Sequence, residues 1–150
     1  MGVSKCGMCH KGDAKGKQLE IWQDSKHSKA YKTLETEAAD KIAKDKGFTT
    51  KASETPQCLK CHVLGKDIVP DELTESFDKT DGVQCETCHG AGSEYKAMGI
   101  MKDKPKAIEN GLIVSTGDEK LCTGCHNSDS PSFKEFNYAD AWAKIKHSKP

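Results

Sequence analysis

Apolar positions in this chain are sparse and come in short runs. The clearest periodicity lies between Gln18 and Lys46. There His27, Ala30, Tyr31, Leu34, Ala38 and Ile42 recur at three- and four-residue steps and share one helical face. The spacing predicts helix, with a break near Asp24-Ser25 and a stop at Gly47. Thr49 to Gln57 is polar, contains a proline and reads as loop. Val63 to Asp81 carries Gly65, Pro70 and scattered charges, and reads as irregular with a short extended piece. Gly90-Ala91-Gly92-Ser93 is a tight turn, where backbone without side chains can pass close to a flat group. Ser93 to Met101 reads as a short helix, Lys104-Pro105 interrupts it, and Lys106 to Leu112 makes a further turn. Asn127 to Pro131 is loop. Tyr138 to His147 is a last helix, with Ala139, Ala143 and His147 on one face. No linker or low-complexity segment divides the chain, so residues 1–150 are expected to form one mainly α domain with long irregular loops and little or no β.

Composition makes such a fold puzzling. Hydrophobic residues are 35%, charged residues 31%, and the mean hydropathy is -0.73. Ordinary globular chains are ~45–50% apolar. A chain this polar is expected to be disordered unless something other than its own side chains supplies a core.

The cysteines identify that something. All eight fall in four Cys-x-x-Cys-His motifs: Cys6/Cys9/His10, Cys58/Cys61/His62, Cys85/Cys88/His89 and Cys122/Cys125/His126. This is the attachment signature of haem c. Two thiols three positions apart on one helical turn can each form a thioether to one porphyrin, and the following histidine binds the iron. Two zinc sites or a disulfide scaffold would use eight cysteines equally well. Neither explains a histidine directly after every pair. Four covalent haems are therefore expected, in a multihaem cytochrome c fold built around them. The motifs repeat at unequal spacings, so the chain is not a solenoid.

Each iron takes two axial ligands. His10, His62, His89 and His126 are the proximal four, and the chain has only six histidines. His27 and His147 remain, both on apolar faces of predicted helices. A lone histidine on such a face is usually a core residue, but four irons in need of a sixth ligand reverse that expectation. Methionine is the next candidate. Met8 lies inside the first motif and Met1 at a terminus, which leaves Met98 and Met101, each otherwise a gap-filling core methionine. One haem is expected to stay open.

Several segments together resemble the tetrahaem cytochrome c-554 family of ammonia oxidisers. They are Cys6-x-x-Cys9-His10-Lys11, Trp22-Gln-Asp-Ser25-Lys-His27-Ser-Lys-Ala30, Cys58-Leu-Lys-Cys61-His62-Val63 and Gly82-Val83-Gln84-Cys85-Glu86-Thr87-Cys88-His89-Gly90-Ala91-Gly92. The resemblance implies a mainly helical fold with closely stacked and roughly perpendicular haem pairs. It implies that His27 is the distal ligand of the fourth haem, that His147 is the distal ligand of the third, and that the second haem, on His62, is five-coordinate. The family's distal histidine for the first haem falls here near Gly99. The flanking Met98 and Met101 then become the replacements, with Met101 preferred, and a second open haem results if neither binds. The shorter chain also departs from the family.

Charge narrows the partners. The chain has 23 acidic and 23 basic residues, every basic one a lysine. Eight haem propionates would make the holoprotein negative, which argues against nucleic acid. No stretch is apolar enough to span a membrane. Covalent haem attachment takes place outside the cytoplasm, so a periplasmic or extracellular protein is expected, its export signal removed. The expected function is electron transfer between redox proteins, cytochromes or oxidoreductases, with no catalytic side chain. The alternative is a reductase of nitric oxide or nitrite, with a small gaseous ligand binding at the open second haem.

Overall fold

Hydroxyl side chains and glycines cut the helices of this chain short. The computed structural model describes residues 1–64, 70–115 and 117–147. Helix α1 (Val3–Gly7) precedes a 3-10 turn at Asp13–Lys15 and helix α2 (Gln18–Asp24). At the end of α2 the backbone turns extended at Ser25, whose Oγ donates back to the Trp22 carbonyl at 2.7 Å. Such back-bonding offers the chain an alternative to helix. A 3-10 turn (His27–Lys29) and helix α3 (Ala30–Thr33) follow, and Thr36 then starts helix α4 (Glu37–Asp45) by accepting from the Ala39 amide. The break expected near Asp24-Ser25 is therefore present, and a second one falls at Leu34–Thr36.

The second break corrects the predicted face. Ala38 and Ile42 are exposed, while Ala43 is buried and Ala39 half-buried. The interruption shifts the helical phase by one residue, so α4 turns a neighbouring stripe inward. Gly47 does stop the helix. With φ +85° it lets Gly47 N–H reach the Lys44 carbonyl and Phe48 N–H reach the Ala43 carbonyl, a double closure. That closure folds Phe48 back onto a small cluster of Leu34, Ala43 and Ala52, with Ala39, Cys58 and Leu59 packed beside it. Helix α5 (Pro56–Leu59) and a π-helical turn (Lys60–Leu64) carry the second motif, whose Cys58 borders this cluster.

Of the stretch expected to be irregular from Val63 to Asp81, residues 65–69 lie outside the described residues. The described part holds 3-10 turns at Pro70–Glu72 and Lys79–Asp81. Helix α6 (Cys85–His89) is the third motif itself. The helix expected over Ser93–Met101 is only its last turn, α7 (Met98–Met101). Lys104-Pro105 opens helix α8 (Lys104–Glu109) rather than interrupting one. Asp103 caps it at the Lys106 amide, and a proline in the first turn leaves no helical hydrogen bond unmade. Helix α9 (Glu119–Thr123) carries Cys122, and α10 (Tyr138–Ile145) ends two residues before His147. No strand occurs among the described residues, and the protein is mainly α.

Polar side chains dock α1 on α6. Gln84, 3% exposed, accepts from Val3 N–H at 2.6 Å and donates to the Asp78 carbonyl at 2.7 Å, so both ends of its amide are satisfied. Glu86 accepts from Gly2 N–H, Gly92 N–H and the Met1 amine. Burial pushes the Glu86 carboxyl up, but these donors outweigh it and leave it below its ordinary value.

Loss of the Thr36 hydroxyl in Thr36→Ala should destabilise the protein by about 1 kcal/mol, the usual cost of an N-cap. Thr36→Ser should restore it, as read by denaturant unfolding followed through helical circular dichroism.

Candidate haem-binding framework

Each motif is built on one tight turn. In the first and fourth, the histidine amide donates to the carbonyl of the first cysteine, His10 to Cys6 at 3.0 Å and His126 to Cys122 at 2.9 Å. The second lies across the junction of α5 and the π-helical turn, and the third fills α6. None of the eight cysteines is in a disulfide.

Two pairs of histidines face each other. The rings of His27 and His126 have centroids 6.1 Å apart with planes at 61°. Those of His89 and His147 are 5.8 Å apart at 52°. With imidazole–metal bonds of about 2 Å, the length they have to zinc, two rings on opposite sides of one metal ion have centroids about 6 Å apart. The family resemblance implied the same two pairings, but the helix faces that singled out His27 and His147 are not what positions them. His27 is in a 3-10 turn and His147 beyond the end of α10, so neither lies on an apolar helix face.

Backbone carbonyls orient several rings. His62 Nδ1 lies 2.9 Å from the Ala30 carbonyl and 3.1 Å from Thr33 Oγ1. His89 Nδ1 lies 3.1 Å from the Ile113 carbonyl, and His147 Nδ1 is 3.1 Å from that of Ile145. A nitrogen facing a carbonyl must carry the proton, which leaves Nε2 of each ring available to a metal. Tyr95, 5% exposed, donates to the carbonyls of His89 and Gly90 at 3.0 Å each and fixes the end of α6.

His27 is held from the opposite side of the chain. Its carbonyl accepts from Val83 N–H at 2.9 Å, its own N–H lies 3.2 Å from Ser25 Oγ, and the Trp22 indole donates to the Val83 carbonyl at 2.7 Å. Gly82, at φ +72°, passes so close that a Cβ there would collide with the His27 carbonyl and meet Ala30 N at 3.1 Å.

Burial lowers the titration points of His27, His126 and His147, and neighbouring histidines add to the effect. The neutral imidazole, the form that binds a metal, is therefore favoured. Burial likewise pushes the Cys58, Cys88 and Cys122 thiols up. A Cys6–Cys85 hydrogen bond lowers the first and raises the second. Helix α1 packs against α6, which brings Cys6 of the first motif beside Cys85 of the third.

The residues fit covalent haem. The chain buries nine hydrophobic side chains among the described residues, three of them alanine, while Met8, Ile113 and Leu121 stand exposed beside the motifs. Large flat apolar groups at the motifs would cover that surface. Met98, 65% exposed, and half-buried Met101 share α7. Phe136 is a residue that motif reading missed. Its ring stacks on His126 with centroids 4.6 Å apart and planes at 14°, and a phenylalanine outside any motif gives no sequence signal for this.

Gly82→Ala should push His27 away from His126. In the haem-loaded protein we expect one low-spin ferric signal to become high-spin in the electron paramagnetic resonance spectrum, as in His27→Ala, while the other low-spin signals stay. Stability should fall by at least about 1 kcal/mol, the scale of a strained backbone conformation. An unchanged spectrum would mean that Gly82 does not position His27.

The family described as cytochrome c554 and c-prime matches residues 5–90. The C-type polyheme cytochrome OmcC of Geobacter sulfurreducens is 30% identical over 95 residues, covering 55% of this chain and 12% of that protein's length. No solved structure matches. With the motif turns and facing histidines in place, the chain belongs to the cytochrome c554 and c-prime family and is a multihaem c-type cytochrome.

Proposed function

We propose that this protein carries four haems c and relays electrons between redox partners outside the cytoplasm, in the periplasm or beyond the cell. Bound haem supplies one-electron iron chemistry, and the chain supplies anchorage, axial ligands and shielding. Cys6, Cys9, Cys58, Cys61, Cys85, Cys88, Cys122 and Cys125 are the anchors. His10, His62, His89 and His126 are the proximal ligands. His147 and His27 are the distal ligands of the third and fourth haems, a reading supported by the two facing ring pairs.

The observation that carries the relay reading is the adjacency of motifs that are far apart in sequence. Residues of the first and third motifs touch through Cys6 and Cys85. The third motif's His89 lies beside His147, and the fourth motif's His126 beside His27, whose arch is tied by the Val83 amide to the chain just before the third motif. The anchors are thus gathered in series within one short chain, as electron hopping between haems requires. An isolated catalytic haem would need no such series. Among the described residues no helix is long and apolar enough to cross a membrane.

Two facing pairs use four of the six histidines, so the sixth ligands of the first and second haems must come from elsewhere. We assign Met101 to the first, ahead of the more exposed Met98, and leave the second, on His62, open to a small gas.

Mass spectrometry of the denatured protein should give the polypeptide plus four haems. The reduced protein should take up about one equivalent of carbon monoxide at its one open haem. It should also exchange electrons rapidly with a second c-type cytochrome in stopped-flow mixing, without sustained consumption of nitric oxide or nitrite. Fewer haems, or multiple turnover, would overturn the reading.

A further inference from the structure

Among the proximal histidines, His126 has an unusual neighbour. Where Nδ1 of His62 and of His89 meets a backbone carbonyl, the face of the His126 ring meets the face of Phe136, 4.6 Å away and only 14° from parallel. Parallel aromatic contact at this distance is attractive and directional. It also opposes one particular motion. An imidazole bound through Nε2 keeps one soft freedom, rotation about its bond to the metal, and that rotation would drive its edge into the parallel ring.

We infer that Phe136 is a positioning residue that locks the rotation of His126 and so holds its plane crossed at 61° to that of His27. This rests on the reading that His27 and His126 are the axial pair of the fourth haem. In this role Phe136 acts through the ring it stacks on.

The crossing angle has an electronic meaning. Two parallel imidazole planes donate into the same iron d orbital and split the pair of π-type orbitals, which gives a rhombic low-spin resonance. Crossed planes donate into both and leave them nearly degenerate, which gives a signal with a much larger maximal g value. The His89/His147 pair, at 52°, is crossed as well and serves as an internal reference.

The test is electron paramagnetic resonance of the oxidised, fully haem-loaded protein. The native spectrum should contain two large-g low-spin signals. His27→Ala should abolish one of them, and Phe136→Leu, which keeps apolar bulk but removes the flat face, should move that same signal towards the rhombic form. Phe136→Tyr, which keeps the ring, should leave it in place. A native spectrum with only rhombic low-spin signals would overturn the inference even if Phe136→Leu fails to fold. An unmoved signal in Phe136→Leu, or an equal shift in Phe136→Tyr, would overturn it too. If His27→Ala leaves every low-spin signal intact, the axial assignment itself falls. If His27→Ala behaves as expected and Phe136→Leu changes nothing, only the role of Phe136 falls.

Discussion

Too little apolar surface is available for this chain to hold itself together, and every other feature follows from that shortage. Its longest described helix has nine residues, below the roughly 12–15 at which an isolated helix becomes even marginally stable in water. The cluster of packed side chains among the described residues centres on Leu34, Ala43 and Ala52 and borders the second motif through Cys58 and Leu59. The helices that carry cysteines therefore derive their placement from what is anchored to them. Covalent attachment at two points per motif suits a chain with so little else to hold it, because it removes freedom from the unfolded state as well as adding contacts to the folded one.

Where the backbone has no core to lie on, polar contacts set its path. Gln84 and Glu86 secure the start of the chain against the third motif. Tyr95 closes the end of that motif, and the Trp22 indole and Gly82-Val83 fix the arch that presents His27. These groups are half-buried or buried and satisfied, so they specify positions that packing alone would leave loose.

That the chain is a multihaem c-type cytochrome was legible in the sequence, because a covalent attachment motif is local and does not depend on the fold. The same holds for the stop at Gly47. The helical face was less legible. Ala38 and Ile42 lie on one stripe with Leu34 only if the helix is continuous, and the Thr36 cap that restarts α4 moves the stripe by one residue. Counting iron ligands singled out His27 and His147, and the family resemblance implied their partners; their rings do lie beside those of His126 and His89, although the helix faces assigned to them do not exist. Phe136 was invisible, because a stacking partner is defined by where a ring ends up in space.

The facing histidines also bear on how far the protein can be divided. His27 and His89 lie within residues 5–90, the segment that carries the family signature, whereas His126 and His147 lie beyond it. A cut after Gly90 would leave three complete attachment motifs on the first piece but break both facing pairs. The signature segment is thus a recognisable unit of ancestry without being a unit of structure. Recombination that borrowed it alone would have to bring, or evolve anew, two opposing imidazoles. His27 beside His126 and His89 beside His147 are long-range closures, and contacts so far apart in sequence carry the loop-closure cost that slows folding.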